Sequence, residues 1–168
     1  GIAMGKRGTD AAKEASDMIL KDDSFGSIVA AIQQGRVIFA NIRRSVMFML
    51  CTNSAEIIAV AAASVFGWPL PLWPLQILYL NVITDVFPAL ALGVGKGSPA
   101  VMQRPPRPSD EPVMTKGLWR AVGGWGVAIA GCVLAGLLLA LEWLGMPQRQ
   151  AVTVSFLTIA VGKLWFVF

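Results

Sequence analysis

The sequence predicts a mainly α-helical membrane protein: four transmembrane helices, the last incomplete, preceded by a short α/β segment. Three observations carry that prediction. Of 168 residues, 55% are hydrophobic and 14% charged, which is not the balance of a soluble domain. Three apolar stretches, about 45–66, 75–94 and 118–144, have the ~20-residue length that crosses a hydrocarbon core, and a fourth, about 151–168, runs to the C-terminus without a polar flank. Residues 1–44 differ in kind, mixing short apolar runs with charged turns. The abrupt start at GIAMG and the apolar finish read as an internal fragment of a longer membrane protein.

The elements follow in order. Ile2 to Met4 is a short apolar run closed by Gly5, a first strand. KRGTDAAKEASD reads as a turn and a short helix, with Thr9 or Asp10 as its N-cap. DMILKDD is a second strand ending in a charged turn. From Ser24, apolar residues recur at helical spacing (Phe25, Ile28, Val29, Ile32) and lead toward the first span. Strand, helix, strand, helix is the tail of a Rossmann-like α/β domain feeding a stalk. The Pro-rich stretch 99–112 reads as a rigid loop.

The net charge of +4 would suit nucleic acid if it were gathered on one face. It alternates with the spans instead. Lys6, Arg7, Lys13, Lys21, Arg36, Arg43 and Arg44 precede the first span, and Lys96, Arg104, Arg107, Lys116 and Arg120 fall between or beside the second and third. The turn GWPLPLWP has no charge, and the turn after the third span has only Arg149. By the positive-inside rule, residues 1–44 and 95–117 are cytoplasmic and the two short turns face out. The expected partner is the lipid bilayer, with no nucleic acid. Trp68, Trp73, Trp119 and Trp143 sit near span ends, as interfacial aromatics do. Cys51 and Cys132 are single cysteines in separate spans, and the sequence has no histidine, so a soft-metal cage is not expected and both read as packing residues.

Within the spans stand Glu56 and Asp85, with Lys163 in the fourth. An ionisable group at mid-bilayer costs a few kcal/mol or more, and is by default a functional site. Asn53 and Glu56 are three apart on the first span, and Asn81, Thr84 and Asp85 are i, i+3 and i+4 on the second, so each set shares a face. A short turn makes the two spans neighbours. Two carboxylates, two amide oxygens and a hydroxyl would then converge as a hard-oxygen cation site. Pro88 has no N–H, frees the carbonyl of Thr84 as a further ligand and breaks the helix there. Such breaks are tolerated where they line a cavity. The alternative is a structural network in which Glu56 and Asp85 pair with Lys163.

These motifs, in this order, resemble the P-type ATPases, specifically the calcium-pump branch. GIAMGKRGTDAAKEASDMILKDDSF is similar to the end of their phosphorylation domain, which is HAD-like, and GRVIFANIRRSVMFMLCTNSAEI to the stalk and fifth membrane helix. PLPLWPLQILYLNVITDVFPALALG resembles the sixth helix, and VMQRPPRPSDEP the loop before the seventh. The resemblance implies a cytoplasmic remnant over 1–36 and a transmembrane cation-transport region over 37–168. It implies ion ligands at Asn53 and Glu56 on the fifth helix, and at Asn81, Thr84 and Asp85 on the sixth. It also implies Mg2+ and ATP as cofactors, Ca2+ or a similar cation as cargo, the remaining domains of the same pump as partners, and an integral location, with the plasma membrane expected. The phosphorylated aspartate in DKTGT, the TGDGVNDAP motif and the fourth membrane helix are not in this sequence, so no catalytic or cofactor-binding residue is expected here and the fragment alone should be inactive.

Lys163 departs from the family pattern. Aligned on the eighth helix, it stands where two-site calcium pumps carry a glutamate, so its ammonium would repel a second dication and pair with Glu56. One transported divalent cation, or a proton-coupled cycle, is therefore expected rather than two calcium ions. A passive channel, a proton-coupled secondary transporter or a truncated non-catalytic membrane subunit are the other readings. The first two have no use for GTDAAKEASDMIL.

Overall fold

The structure, a computed structural model, describes residues 1–103, 105–108 and 110–167. Arg104, counted above with the loop charges, and Phe168, counted in the fourth span, lie outside the described residues, as does Ser109. The chain divides into two compact units, residues 1–40 with 96–106, and residues 41–95 with 107 onward.

The first unit is built on two three-residue strands, β1 (Ile2–Met4) and β2 (Met18–Leu20), paired in parallel with Ile2 opposite Met18 and Met4 opposite Leu20. Parallel neighbours need a crossover, and α1 (Asp10–Glu14) lies within it. Thr9 is its N-cap, its hydroxyl oxygen accepting the Ala12 N–H at 3.3 Å. The turn after β1 closes with the Gly8 N–H on the Met4 carbonyl at 3.1 Å, and a Cβ at Gly8 would overlap that oxygen, so only glycine fits. Asp23, with φ 56°, faces the same turn: its carboxylate accepts the N–H of Lys6 at 2.8 Å and of Arg7 at 3.0 Å. On residues 96–106, the Val101 carbonyl accepts a bond from Arg36 at 3.1 Å.

Helix α2 (Phe25–Val65) runs 41 residues without interruption, about 60 Å at 1.5 Å per residue. The stalk and the first predicted span are thus one helix. The sequence allows this, because it holds no proline between 25 and 65. The helix ends in a Schellman closure, with Gly67 at φ 69° and the Trp68 N–H on the Ala63 carbonyl at 2.9 Å.

The second unit is helical throughout; among the described residues from 45 on there is no strand. The second span is α3 (Pro74–Leu80), a π-helical turn (Asn81–Val86) and α4 (Phe87–Gly93). The third is α5 (Lys116–Leu138), capped by Thr115 and extended by a second π turn (Leu139–Trp143), and the fourth is α6 (Gln148–Val167). All four are long and apolar enough to cross a membrane. Their common core is Ala55, Ala59, Leu80, Ile129, Val133 and Ile159. Small residues let the helices close up, as at Gly126, where a Cβ would stand 3.1 Å from Ser54 Cβ. Large apolar side chains such as Leu75, Phe87, Val127 and Trp165 are exposed, which suits a lipid surround. Cys51 is buried, whereas Cys132 is exposed rather than packed, because nothing in a lipid-facing position opposes a small apolar thiol.

The Asp23 carboxyl is held below the usual carboxylate range, chiefly by the Lys6 N–H. A folded value below the unfolded one means the stabilisation is complete above about pH 4 and lost as pH falls through the lowered folded value. Amide hydrogen exchange should therefore show Lys6 and Arg7 protected at neutral pH and released in acid, with Asp23→Asn flattening the dependence. Protection unchanged by acid would show that Asp23 does not hold this turn.

Candidate cation site

Three charged side chains from three different spans meet inside the second unit. Lys163 Nζ on α6 donates to Glu56 Oε1 on α2 at 2.6 Å and to Asp85 Oδ1 in the π turn at 2.9 Å. Lys163 is fully buried, and Asp85 and Glu56 are 2% and 5% exposed. The ammonium thus bridges both carboxylates, the pairing of the alternative structural network, where the family comparison of Lys163 led to Glu56 alone. Asp85 is brought in because the π turn carries it into the helix interface. Two carboxylates against one ammonium leave one net negative charge.

Local sequence explains the geometry. Pro88 lies in the first turn of α4, immediately after the π turn, and its missing N–H leaves the Thr84 carbonyl without its α-helical donor. The expected break is therefore present as a π turn ahead of the proline rather than a simple kink. Thr84 donates its hydroxyl hydrogen to the Leu80 carbonyl at 2.8 Å, and its oxygen stands 3.3 Å from Asp85 Oδ1. Asn81 is half-buried, but its Oδ1 is buried with no hydrogen-bond partner among the described residues. An acceptor left so costs about 1–3 kcal/mol unless something donates to it or binds it.

Of the residues singled out from sequence, Glu56, Thr84, Asp85 and Lys163 are in direct contact. Asn53 is half-buried, three residues before Glu56. Thr52, which that reading passed over, is fully buried, and its hydroxyl faces the Met49 carbonyl at 3.1 Å and Asp85 Oδ2 at 3.5 Å. Asn41 and Ser45 were passed over too, and they bind carbonyls of the second span near the end of α4. The signal was available as spacing. Asn41, Ser45, Thr52 and Glu56 follow one another at steps of four, seven and four, which is one face of a helix. Among the described residues no three acidic, cysteine or histidine side chains gather, so a cation here would depend on two carboxylates supplemented by neutral oxygens.

A charged cluster buried among helices long and apolar enough to cross a membrane, beside a broken span, is the arrangement by which membrane proteins that handle ions are recognised. Comparison with known proteins makes the class specific. Residues 69–168 match the family described as "Cation transporting ATPase, C-terminus". The chain is 48% identical over 139 residues to calcium-transporting ATPase 1 of Yarrowia lipolytica, covering 83% of this chain and 14% of that protein. It is 39% identical over 174 residues to a calcium-transporting ATPase of Bacillus subtilis, covering all of this chain and 19% of that protein. It is 47% identical over 143 residues to P-type sodium-transporting ATPase4 of Toxoplasma gondii, covering 84% of this chain and 11% of that protein. The chain belongs to the P-type cation-transporting ATPases and corresponds to their C-terminal membrane region. It spans between 11% and 19% of these relatives' length. The ATP and Mg2+ use that the family implies rests on motifs outside this sequence.

Removing the ammonium should be costly, because it leaves two buried carboxylates side by side. Lys163→Met should destabilise the intact protein by about 3–5 kcal/mol, and adding Glu56→Gln should recover part of that. The measurement is the unfolding midpoint in detergent. A loss that the second substitution does not reduce would mean that lost packing, not charge, dominates.

Proposed function

We propose that this chain is the ion-binding membrane part of an ATP-driven pump that moves one Ca2+, or a similar divalent cation, per cycle. The observation that carries this is the buried, unpartnered Asn81 Oδ1 in the same π turn as Asp85 and Thr84. Asp85, Asn81 and the freed Thr84 carbonyl would form the core of the site, with Thr84 Oγ1, Glu56 and Asn53 contributing. Lys163 would supply a fixed positive charge in the place of a second ion. With one net negative charge in the cluster, a first dication is attracted and a second repelled. The naming of several relatives as calcium-transporting supports the choice of ion. In the whole protein an aspartyl-phosphate formed from ATP would drive the cycle, and this chain by itself would hydrolyse nothing. Residues 1–44 and 95–117 would face the cytoplasm, in the plasma membrane.

A specific observation favours a second reading. One net negative charge is neutralised by one monovalent ion, and two of the relatives are named as sodium-transporting. Phosphoenzyme formed from ATP by the full-length protein separates the two, being calcium-dependent in the first case and sodium-dependent in the second.

Asp85→Asn should abolish cation-dependent phosphorylation from ATP, since Asp85 carries the charge nearest the helix break. Normal phosphorylation in that variant would make the carboxylate structural. Lys163→Glu should raise the stoichiometry of bound radioactive calcium from one toward two per pump. Two ions bound by the wild type, or one by the variant, would overturn the single-site reading.

A further inference from the structure

Away from the charged cluster, Asn41 is a buried polar side chain of the second unit that binds two carbonyls. It is 3% exposed, and its amide nitrogen donates to the Gly93 carbonyl at 3.2 Å and the Gly95 carbonyl at 2.7 Å. One turn further along α2, the Ser45 hydroxyl donates to the Ala89 carbonyl at 3.0 Å. The residues holding α2 and those held on the second span form two matched rows. Asp85, Ala89 and Gly93 are each four apart, as are Asn41 and Ser45, with Thr52 and Glu56 further along the same face.

The last carbonyls of any helix lack intrahelical donors, and solvent or a cap must serve them. Arg44 is exposed, so solvent reaches this level of α2. The Gly93 carbonyl at the end of α4 and the Gly95 carbonyl just past it are nonetheless bound by Asn41.

We infer that Asn41 and Ser45 are positioning residues that carry displacement of α2 onto α4, and through α4 onto Asp85. The inference rests on the pump reading, because it supplies the step by which movement of α2 changes the cation site. Ala89 lies one turn from Asp85 and Gly93 two; the first of these turns crosses Val86, the last residue of the π turn, and Pro88. Asp85 is the fifth of the six π-turn residues, and residues 81–84 lie on its far side from the two pins. Pulling on α4 would therefore act on Asp85 near the edge of the more deformable turn, across Val86 alone of its residues.

The test uses the full-length pump with Asn41→Leu, Asn41→Gln and Ser45→Ala. Phosphoenzyme is formed from labelled ATP at graded cation concentrations, and steady-state ATP hydrolysis is divided by the amount of phosphoenzyme. Asn41→Leu should lower turnover per phosphoenzyme about tenfold and Ser45→Ala about threefold, while the cation concentration for half-maximal phosphorylation shifts less than about twofold. Asn41→Gln, which restores the donors, should recover most of the turnover. A cap needed only for folding would reduce phosphoenzyme and hydrolysis together and leave the ratio unchanged, which would overturn the inference. If Asn41→Leu does not fold, an unchanged ratio in Ser45→Ala overturns it equally. A wild type whose phosphoenzyme depends on no cation would defeat the pump reading first, and is distinguished by needing no variant at all.

Discussion

Taking Lys163, Glu56 and Asp85 out of water costs several kcal/mol per ion, and the cost is offset only if all three meet with good geometry. They do so at 2.6 and 2.9 Å, and the three spans that carry them must hold register to within a fraction of an ångström for this to persist. The surrounding packing answers to that requirement. Ala55 and Ala59 flank Glu56 with side chains small enough for close approach, and Ile159 sits one turn before Lys163 in the same core. A bulkier residue at 55 or 59 would lengthen the bridge, leaving buried charge with less to offset it.

Asp85 is the point where most of these constraints cross. Its Oδ1 meets Lys163 from α6 and lies beside Thr84 Oγ1, and its Oδ2 faces Thr52 from α2. A regular α-helix through this region would have required a donor for the Thr84 carbonyl that Pro88 lacks. The π turn resolves that conflict by changing the hydrogen-bond pattern over six residues. It thereby leaves polar groups, the Asn81 oxygen among them, facing the interior rather than their own backbone. The break follows from the proline, and the unpartnered oxygen lies in the turn that the break creates.

What could be read from sequence divides along physical lines. Glu56, Asp85 and Lys163 were legible because a charge in a span is too costly to be incidental. Pro88 was legible as a break, but not as a π turn, since the missing N–H dictates that hydrogen bonds rearrange and not how. The sharing of Lys163 between two carboxylates was open from sequence as an alternative, but choosing it over Glu56 alone depends on the rotation of three helices about their axes, which no single segment encodes. Thr52, Asn41 and Ser45 escaped because small polar residues are tolerated in helices for many reasons, so identity alone is silent. Their spacing from Glu56 was informative. The unbroken α2 was half-visible: the absence of proline permits continuity, while the change from charged to apolar composition near residue 44 marks only a change of surroundings.

On the proposed pump reading, a lysine in the ion site would differ from a bound cation in one respect that matters for transport: it cannot leave. Its charge is fixed in number, and its distance from Asp85 changes only if the lysine changes rotamer, α6 moves or the π turn deforms. Full burial leaves the side chain little freedom for the first. The last places the variable in the same six residues that hold Asn81, Thr84 and Asp85. The electrostatic field at Asp85 is then set by helix geometry, and on that reading a change in the geometry would alter cation affinity without any change in the ligands present. Bridge, break and polar stripe are in this sense one device, because each fixes a different coordinate of the same carboxylate.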